Sequence, residues 1–246
     1  MEYFLNDAQP AVVVCWPQSQ AMIEELARAA GTRYVFTLDD SGGGTLLQEC
    51  GNAPAEFETA VVNAEDLAAI LYTSGTTGRS KGAMLTHGNL ASNARTLHEY
   101  WGFRADDMLL HTLPIFHIHG LFVAANVLLL NAGRMIFLPK FDAAQVIQYL
   151  SRATVFMGVP TYYTRLLTEP GFNVEACRNM RLFVSGSAPL LKGTFTGFHE
   201  RTGHAILERY GMSETGMNTS SACRRTRRRH GRHAVAGRFG AGCRQQ

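Results

Sequence analysis

Between Tyr72 and Gly82 the chain reads YTSGTTGRSKG, a run of glycines, hydroxyl side chains and two cations placed directly after the apolar stretch LAAIL. Glycine lets backbone N–H groups approach an anion closely, because it has no Cβ and tolerates positive φ. Thr73, Ser74, Thr76 and Thr77 add hydroxyl donors, and Lys81 adds a compact positive charge suited to a phosphate oxygen. A lone Gly-x-x-Gly reads more simply as a flexible surface turn. The hydroxyl density, the lysine and the buried-type strand before it favour a polyphosphate cradle instead. It is not the loop of nucleoside triphosphatases, which requires G-x-x-x-x-G-K-[ST] running straight into a helix. Gly75 and Gly78 are too close together, Lys81 stands three residues after the second glycine, and Gly82 occupies the place of the Ser or Thr.

Other chemistry-bearing residues are sparser. His117 and His119 in FHIHG have a spacing that invites a metal reading, but no third ligand accompanies them. Five cysteines, an odd number at wide spacing without a C-x-x-C pair, imply reduced thiols with neither a disulfide framework nor a zinc site. Residues 221 to 246 hold eight Arg and no Lys, Asp or Glu, whereas the first 220 residues carry 15 basic against 20 acidic side chains. A basic run such as RRTRRRH can bind nucleic acid. With no aromatic stacking residues and few apolar ones to offset its ordering entropy, it reads rather as a disordered or aberrant tail.

These groups need a scaffold, and 246 residues with 46% hydrophobic and 17% charged side chains suffice for a sizeable core. Short β-branched runs alternate with amphipathic ones. Strands are expected over 11 to 16, 33 to 38, 68 to 73, 108 to 113, 134 to 139, 154 to 159, 181 to 186 and 204 to 210. Helices are expected over 18 to 30, 87 to 101, 116 to 130, 143 to 151, 161 to 167 and 190 to 202. DDSGGGTL, 39 to 46, reads as a surface turn. Alternation of this kind implies an α/β fold of parallel sheets flanked by helices, with ligands at the carboxyl ends of the strands. No apolar run is long enough for a membrane span and the first ten residues show no secretion signal, so a cytoplasmic setting is expected.

The run YTSGTTGRSKGAMLTHGNL closely resembles the ATP-binding signature of the adenylate-forming superfamily of acyl-CoA synthetases, or AMP-binding enzymes. The likeness continues, in the family's order, through LPIFHIHGL, VSGSAPL and LERYGMSET, and covers roughly residues 2 to 220. RMIFLPKFD, MGVPTYYTRLL and ERYGMSETGMNTS are most similar to the malonyl-CoA synthetase branch.

The resemblance implies that a carboxylate attacks the α-phosphate of ATP, giving an acyl-adenylate and pyrophosphate, and that coenzyme A then displaces AMP as a thioester. It implies a phosphate loop of Thr73, Ser74, Gly75, Thr76, Thr77, Gly78 and Lys81. Glu214 matches the family's magnesium-binding acid, a hard oxygen ligand suited to Mg²⁺, and Thr215 a contact to the α-phosphate. Tyr210 and Gly211 match positions along the adenine, while Ser185, Gly186, Ser187 and Ala188 match the loop on its other face. His117 falls in the segment bordering the acyl pocket. Arg165 and Arg209 match the arginines that hold the free carboxylate of a dicarboxylate, for which a guanidinium fork is well shaped.

The opening MEYFLNDAQP resembles an interior segment of such enzymes. After Ser220 nothing matches the family's ribose-binding Asp, its hinge or the lysine of its small C-terminal domain. The expectation is therefore a partial large domain over 1 to 220, no small C-terminal domain, and a frameshifted tail over 221 to 246, with weak ligase activity or none. Substrates would be ATP with Mg²⁺, coenzyme A and malonate or a similar short acid. A medium- or long-chain fatty acyl-CoA ligase fragment, a non-catalytic nucleotide-binding remnant and a nucleic-acid binder are the alternatives.

Overall fold

A computed structural model describes residues 1–51, 53–74, 78–221 and 233–234. Two compact units divide at Val61/Val62. In the first, helix α1 (Glu2–Ala8) precedes strand β1 (Val12–Cys15), helix α2 (Gln20–Ala29), strand β2 (Tyr34–Thr37) and helix α3 (Thr45–Gly51). β1 and β2 run parallel, with Val12 opposite Tyr34 and Cys15 opposite Thr37, because α2 supplies the crossover that a parallel pair requires. The Gly-rich run at 39 to 44 is a turn in which the Asp39 carboxylate accepts from the backbone N–H groups of Ser41 (2.9 Å) and Gly43 (2.7 Å). It leads into α3, which the spacing of apolar residues did not mark.

The second unit opens with an antiparallel hairpin, β3 (Leu67–Thr73) and β4 (Lys81–Thr86), closed by the pair Thr73 and Lys81. Helix α4 (His87–Trp101) follows β4 without a loop. Thr86 Oγ1 accepts from the Asn89 N–H at 3.2 Å, and Asn89 Oδ1 accepts from the Thr86 N–H at 3.0 Å. That reciprocal pair satisfies donors that a helix start otherwise leaves open. Gly102 ends the helix at φ 60, a left-handed conformation that favours glycine.

The remaining strands form one sheet: β5 (Met108–His111), β6 (Arg134–Phe137), β7 (Val155–Gly158), β8 (Leu182–Ser185), β9 (Ile206–Met212), β10 (Gly216–Ser220) and β11 (His233–Ala234), in the order β11-β10-β9-β8-β7-β5-β6. The five strands from β6 to β9 are parallel; β10 and β11 are antiparallel additions. β7 and β8 are buried at every position, as strands covered on both faces must be. Successive residues point to opposite faces. Leu109, Val155, Leu182 and Val184 pack with Leu97 and Trp101 of α4 and Val127 and Leu128 of α5 (Asn126–Leu130). Leu110, Phe156 and Phe183 pack with side chains of α6 (Ala143–Leu150), α7 (Pro160–Thr168) and α8 (Lys192–Thr202).

The expected α/β class with a parallel sheet holds, and most elements fall within a few residues of their expected spans. Two differ. The stretch 68 to 73 pairs with β4 in a separate antiparallel hairpin. The expected helix over 116 to 130 is a π-helical segment, His119–Ala125, that runs on into α5. The strands β4 and β10 and the helices α1 and α3 were not expected. No helix among the described residues is long and apolar enough to cross a membrane.

Candidate active site

The hairpin β3–β4 carries the phosphate-type loop. Thr73 ends β3, Ser74 follows it exposed, Gly78 has φ 83, and Lys81 opens β4 with its side chain exposed. Gly75, Thr76 and Thr77 lie outside the described residues. Gly82 fits closely, since a Cβ there would meet Ile70 Cγ2 at 2.7 Å and that side chain would have to shift.

Across the unit, β9 and β10 are joined by a tight turn holding Ser213, Glu214 and Thr215. Gly216 closes it at φ 68. Thr215 Oγ1 donates to Asn218 Oδ1 at 2.7 Å. A Cβ on Gly211 would overlap the Gly216 carbonyl oxygen, so the strand beside the turn also needs glycine. This turn delivers Glu214 to the loop: Thr73 Oγ1 donates to Glu214 Oε1 at 3.4 Å, although the two are 141 residues apart. Among the described residues no group of three or more His, Cys, Asp or Glu could hold a metal. One exposed carboxylate beside a hydroxyl is a donor set of hard oxygens. It fits Mg²⁺ that keeps its waters and shares phosphate oxygens better than it fits an all-protein cage.

A second cluster forms where β8 ends, beside the middle of β9. Arg209, on β9, is 7% exposed. Burial lowers its pKa to about 10, with the Tyr163 hydroxyl partly opposing the shift. Its Nη2 donates to Ser187 Oγ at 3.4 Å, while its Nε has no partner. Ser187, just past β8, adopts φ 70 despite its side chain, a conformation that costs a non-glycine residue energy and concentrates at functional sites. Its hydroxyl also lies 3.4 Å from His119 Nδ1. His119 is buried with Nε2 unpartnered. Desolvation first, then the charges of Arg209 and His111, hold its pKa well below 6.5, so the ring stays neutral. Ser185 Oγ is a further buried atom without a partner. Tyr163 donates to the Val184 carbonyl at 2.7 Å, and burial raises its pKa well above 10.

The structure therefore brings together Thr73 with Glu214, and Arg209 with Gly186 and Ser187. Tyr210 and Ala188 are exposed near these groups in sequence. Arg165 is exposed on α7, with its guanidinium 4.9 Å from the centre of the Phe141 ring. His117 is also exposed, its ring 4.6 Å from that of Phe116. It is His119, given no role by its sequence context, that joins Arg209. The H-x-H spacing alone does not say which histidine faces inward.

A family model described as AMP-binding enzyme matches residues 1–244. Malonate--CoA ligase ACSF3, mitochondrial, from Mus musculus is 36% identical over 238 residues, covering 90% of this chain and 40% of that protein. Malonate--CoA ligase from Arabidopsis thaliana is 32% identical, with coverage of 92% and 40%. The chain thus spans about 40% of the length of these relatives. Among solved structures, ATP-bound MatB from Rhodopseudomonas palustris is 56% identical with TM-score 0.87, over 90% of this chain and 44% of that one. A malonyl-CoA ligase ternary product complex with methylmalonyl-CoA and AMP is 31% identical with TM-score 0.72, over 90% and 46%. Because that family model matches nearly the whole chain, the chain belongs to the AMP-binding enzyme family.

Proposed function

We propose that this chain carries the nucleotide- and acid-binding portion of an ATP-dependent acyl-CoA synthetase acting on malonate or a similar short dicarboxylate. The observation that carries the reading is Arg209. A buried guanidinium is costly unless an anion meets it. Among the described residues no carboxylate pairs with Arg209, and its Nε is unsatisfied. The neutral neighbours Ser187 and His119 add polar atoms without adding charge, so one carboxylate would neutralise the pocket. Long-chain acids would present methylenes to this cation.

In this reading Lys81 and the loop hydroxyls bind the β- and γ-phosphates and neutralise charge as the substrate carboxylate attacks the α-phosphate. Glu214, with Thr73, would hold Mg²⁺, which supplies charge neutralisation at the phosphates. Thr215 lies beside the α-phosphate, Tyr210, Gly211 and the 185–188 segment flank the adenine, and coenzyme A takes the acyl group in a second step. Arg165 and His117 are proposed to border the acid. The malonate--CoA ligase relatives and the ATP-bound neighbour support this assignment.

The test is calorimetric titration of malonate and of hexanoate into the chain preloaded with a non-hydrolysable ATP analogue and Mg²⁺. Malonate is expected to bind and hexanoate not. Equal binding of the two acids sinks the dicarboxylate assignment.

A further inference from the structure

Glu214 stands on an exposed turn, and among the described residues its one hydrogen bond is to Thr73, so its place depends on what holds the turn. Besides the packing of Met217 with Ala94, Leu97 and Trp101, hydrogen bonds among the described residues join α4 and β10 at two places. Near the turn, Asn93 is buried and uses both ends of its amide on one residue: Nδ2 donates to the Met217 carbonyl at 3.3 Å, and Oδ1 accepts from the Met217 N–H at 3.4 Å. It gives Met217 what a neighbouring strand would give. At the far end, Trp101 Nε1 donates to Ser220 Oγ at 2.9 Å.

Lys81 and Asn93 belong to one uninterrupted run, β4 into α4, fixed at its junction by Thr86 and Asn89. Met217 is three residues from Glu214, and the pairing of β10 with β9 shifts register just beyond it, between Met217 and Thr219. Between them, Gly216 lies so close that a Cβ would sit 3.0 Å from Asn93 Cγ and Oδ1.

We propose that Asn93 is a positioning residue for the nucleotide site, locking the Glu214 turn to the strand–helix run that carries Lys81. This rests on the reading of Glu214 and the loop given under Proposed function. Removing the Asn93 amide leaves β10 tied through Trp101 and Ser220, so the sheet stays intact while the turn loses its register with the hairpin.

The test measures ATP affinity of the full chain by calorimetry, with Mg²⁺ and in EDTA, for the native protein, Asn93→Ala and Asn93→Gln. Asn93→Gln keeps the amide but lengthens its reach, so loss of the fold with alanine does not remove the test. The native chain is expected to bind ATP more tightly with Mg²⁺. A folded variant is expected to match it in EDTA and to lose about tenfold with Mg²⁺, the scale on which outer partners of metal ligands act. Full retention of the Mg²⁺ enhancement overturns the inference alone, as does an equal loss with and without Mg²⁺, which marks a purely structural amide. A native chain that binds no ATP overturns the nucleotide reading and this inference with it.

Discussion

The guanidinium of Arg209 rests against the bare Cα of Gly186: a Cβ at that position would overlap Arg209 Cζ and Nε and come 2.7 Å from Nη1. The glycine of VSGSAPL is thus a seat for the arginine as well as part of a loop. Gly186→Ala is expected to displace Arg209 and to cost about 1–3 kcal/mol of overpacking, read by urea unfolding. Malonate binding should weaken in parallel. A variant that binds malonate as the native chain does would separate Arg209 from the acid.

Replacing Arg209 itself should part stability from binding. Its pKa, lowered to about 10 from 12.5 by burial, means that the charged form is disfavoured by folding. Both states are protonated below pH 10, so the penalty is fully present at neutral pH and lifts only as the pH rises through that value. Arg209→Met removes the charge and keeps an unbranched apolar stem. Unfolding free energy should stay level or rise by about 1–2 kcal/mol, while malonate binding disappears. A large loss of stability would show that Arg209 is a structural cation.

The loop could be found in the sequence because its function needs particular residue types at short range. β7 and β8 could be found because burial on both faces demands apolar runs. β4 and β10 could not: KGAMLT reads as the end of the loop, and GMNTS is polar and glycine-bearing. Pairing partners, not composition, make them strands. The same limit applies to side chains. Nothing local tells His119 from His117, or marks Asn93 as more than a polar residue on a helix. Arg209 was reached through the resemblance, and only the fold shows that it is buried, unpaired and seated on Gly186.

Asp107 is expected to be the costliest polar residue to lose outside the site. It is buried just before β5, where its carboxylate accepts from Arg181 Nε at 2.6 Å and again from Arg181 Nη2, from Thr154 Oγ1 at 2.8 Å and from the Arg104 N–H at 2.8 Å. Thr154 precedes β7 and Arg181 precedes β8, so one carboxylate gathers the starts of three neighbouring strands. Burial alone would raise its pKa, but Arg181 and the other donors together hold it below 3.8. Asp107→Ala should cost about 3–5 kcal/mol, the range for stranding one partner of a buried pair. A shift under about 1 kcal/mol in urea unfolding would contradict this.

His119 gives the site a pH signature. Its folded-state pKa lies well below 6.5 because the ring is desolvated and faces Arg209 and His111. Below the ordinary value the unfolded chain therefore takes up a proton that the folded chain refuses. Stability is full above about pH 6.5 and falls as the pH drops, by about 1.4 kcal/mol per unit for each such group. His111 and His204, also shifted down by burial, contribute in the same direction until their own folded values are reached. His119→Gln keeps a neutral polar side chain beside Ser187 and removes one titrating ring. Urea unfolding at pH 7.5 and 5.5 should show a smaller acid loss in the variant than in the native chain. An unchanged difference would mean that His119 takes up its proton in the folded state, with a second cation beside Arg209 and a pocket that prefers more negative charge than one carboxylate supplies.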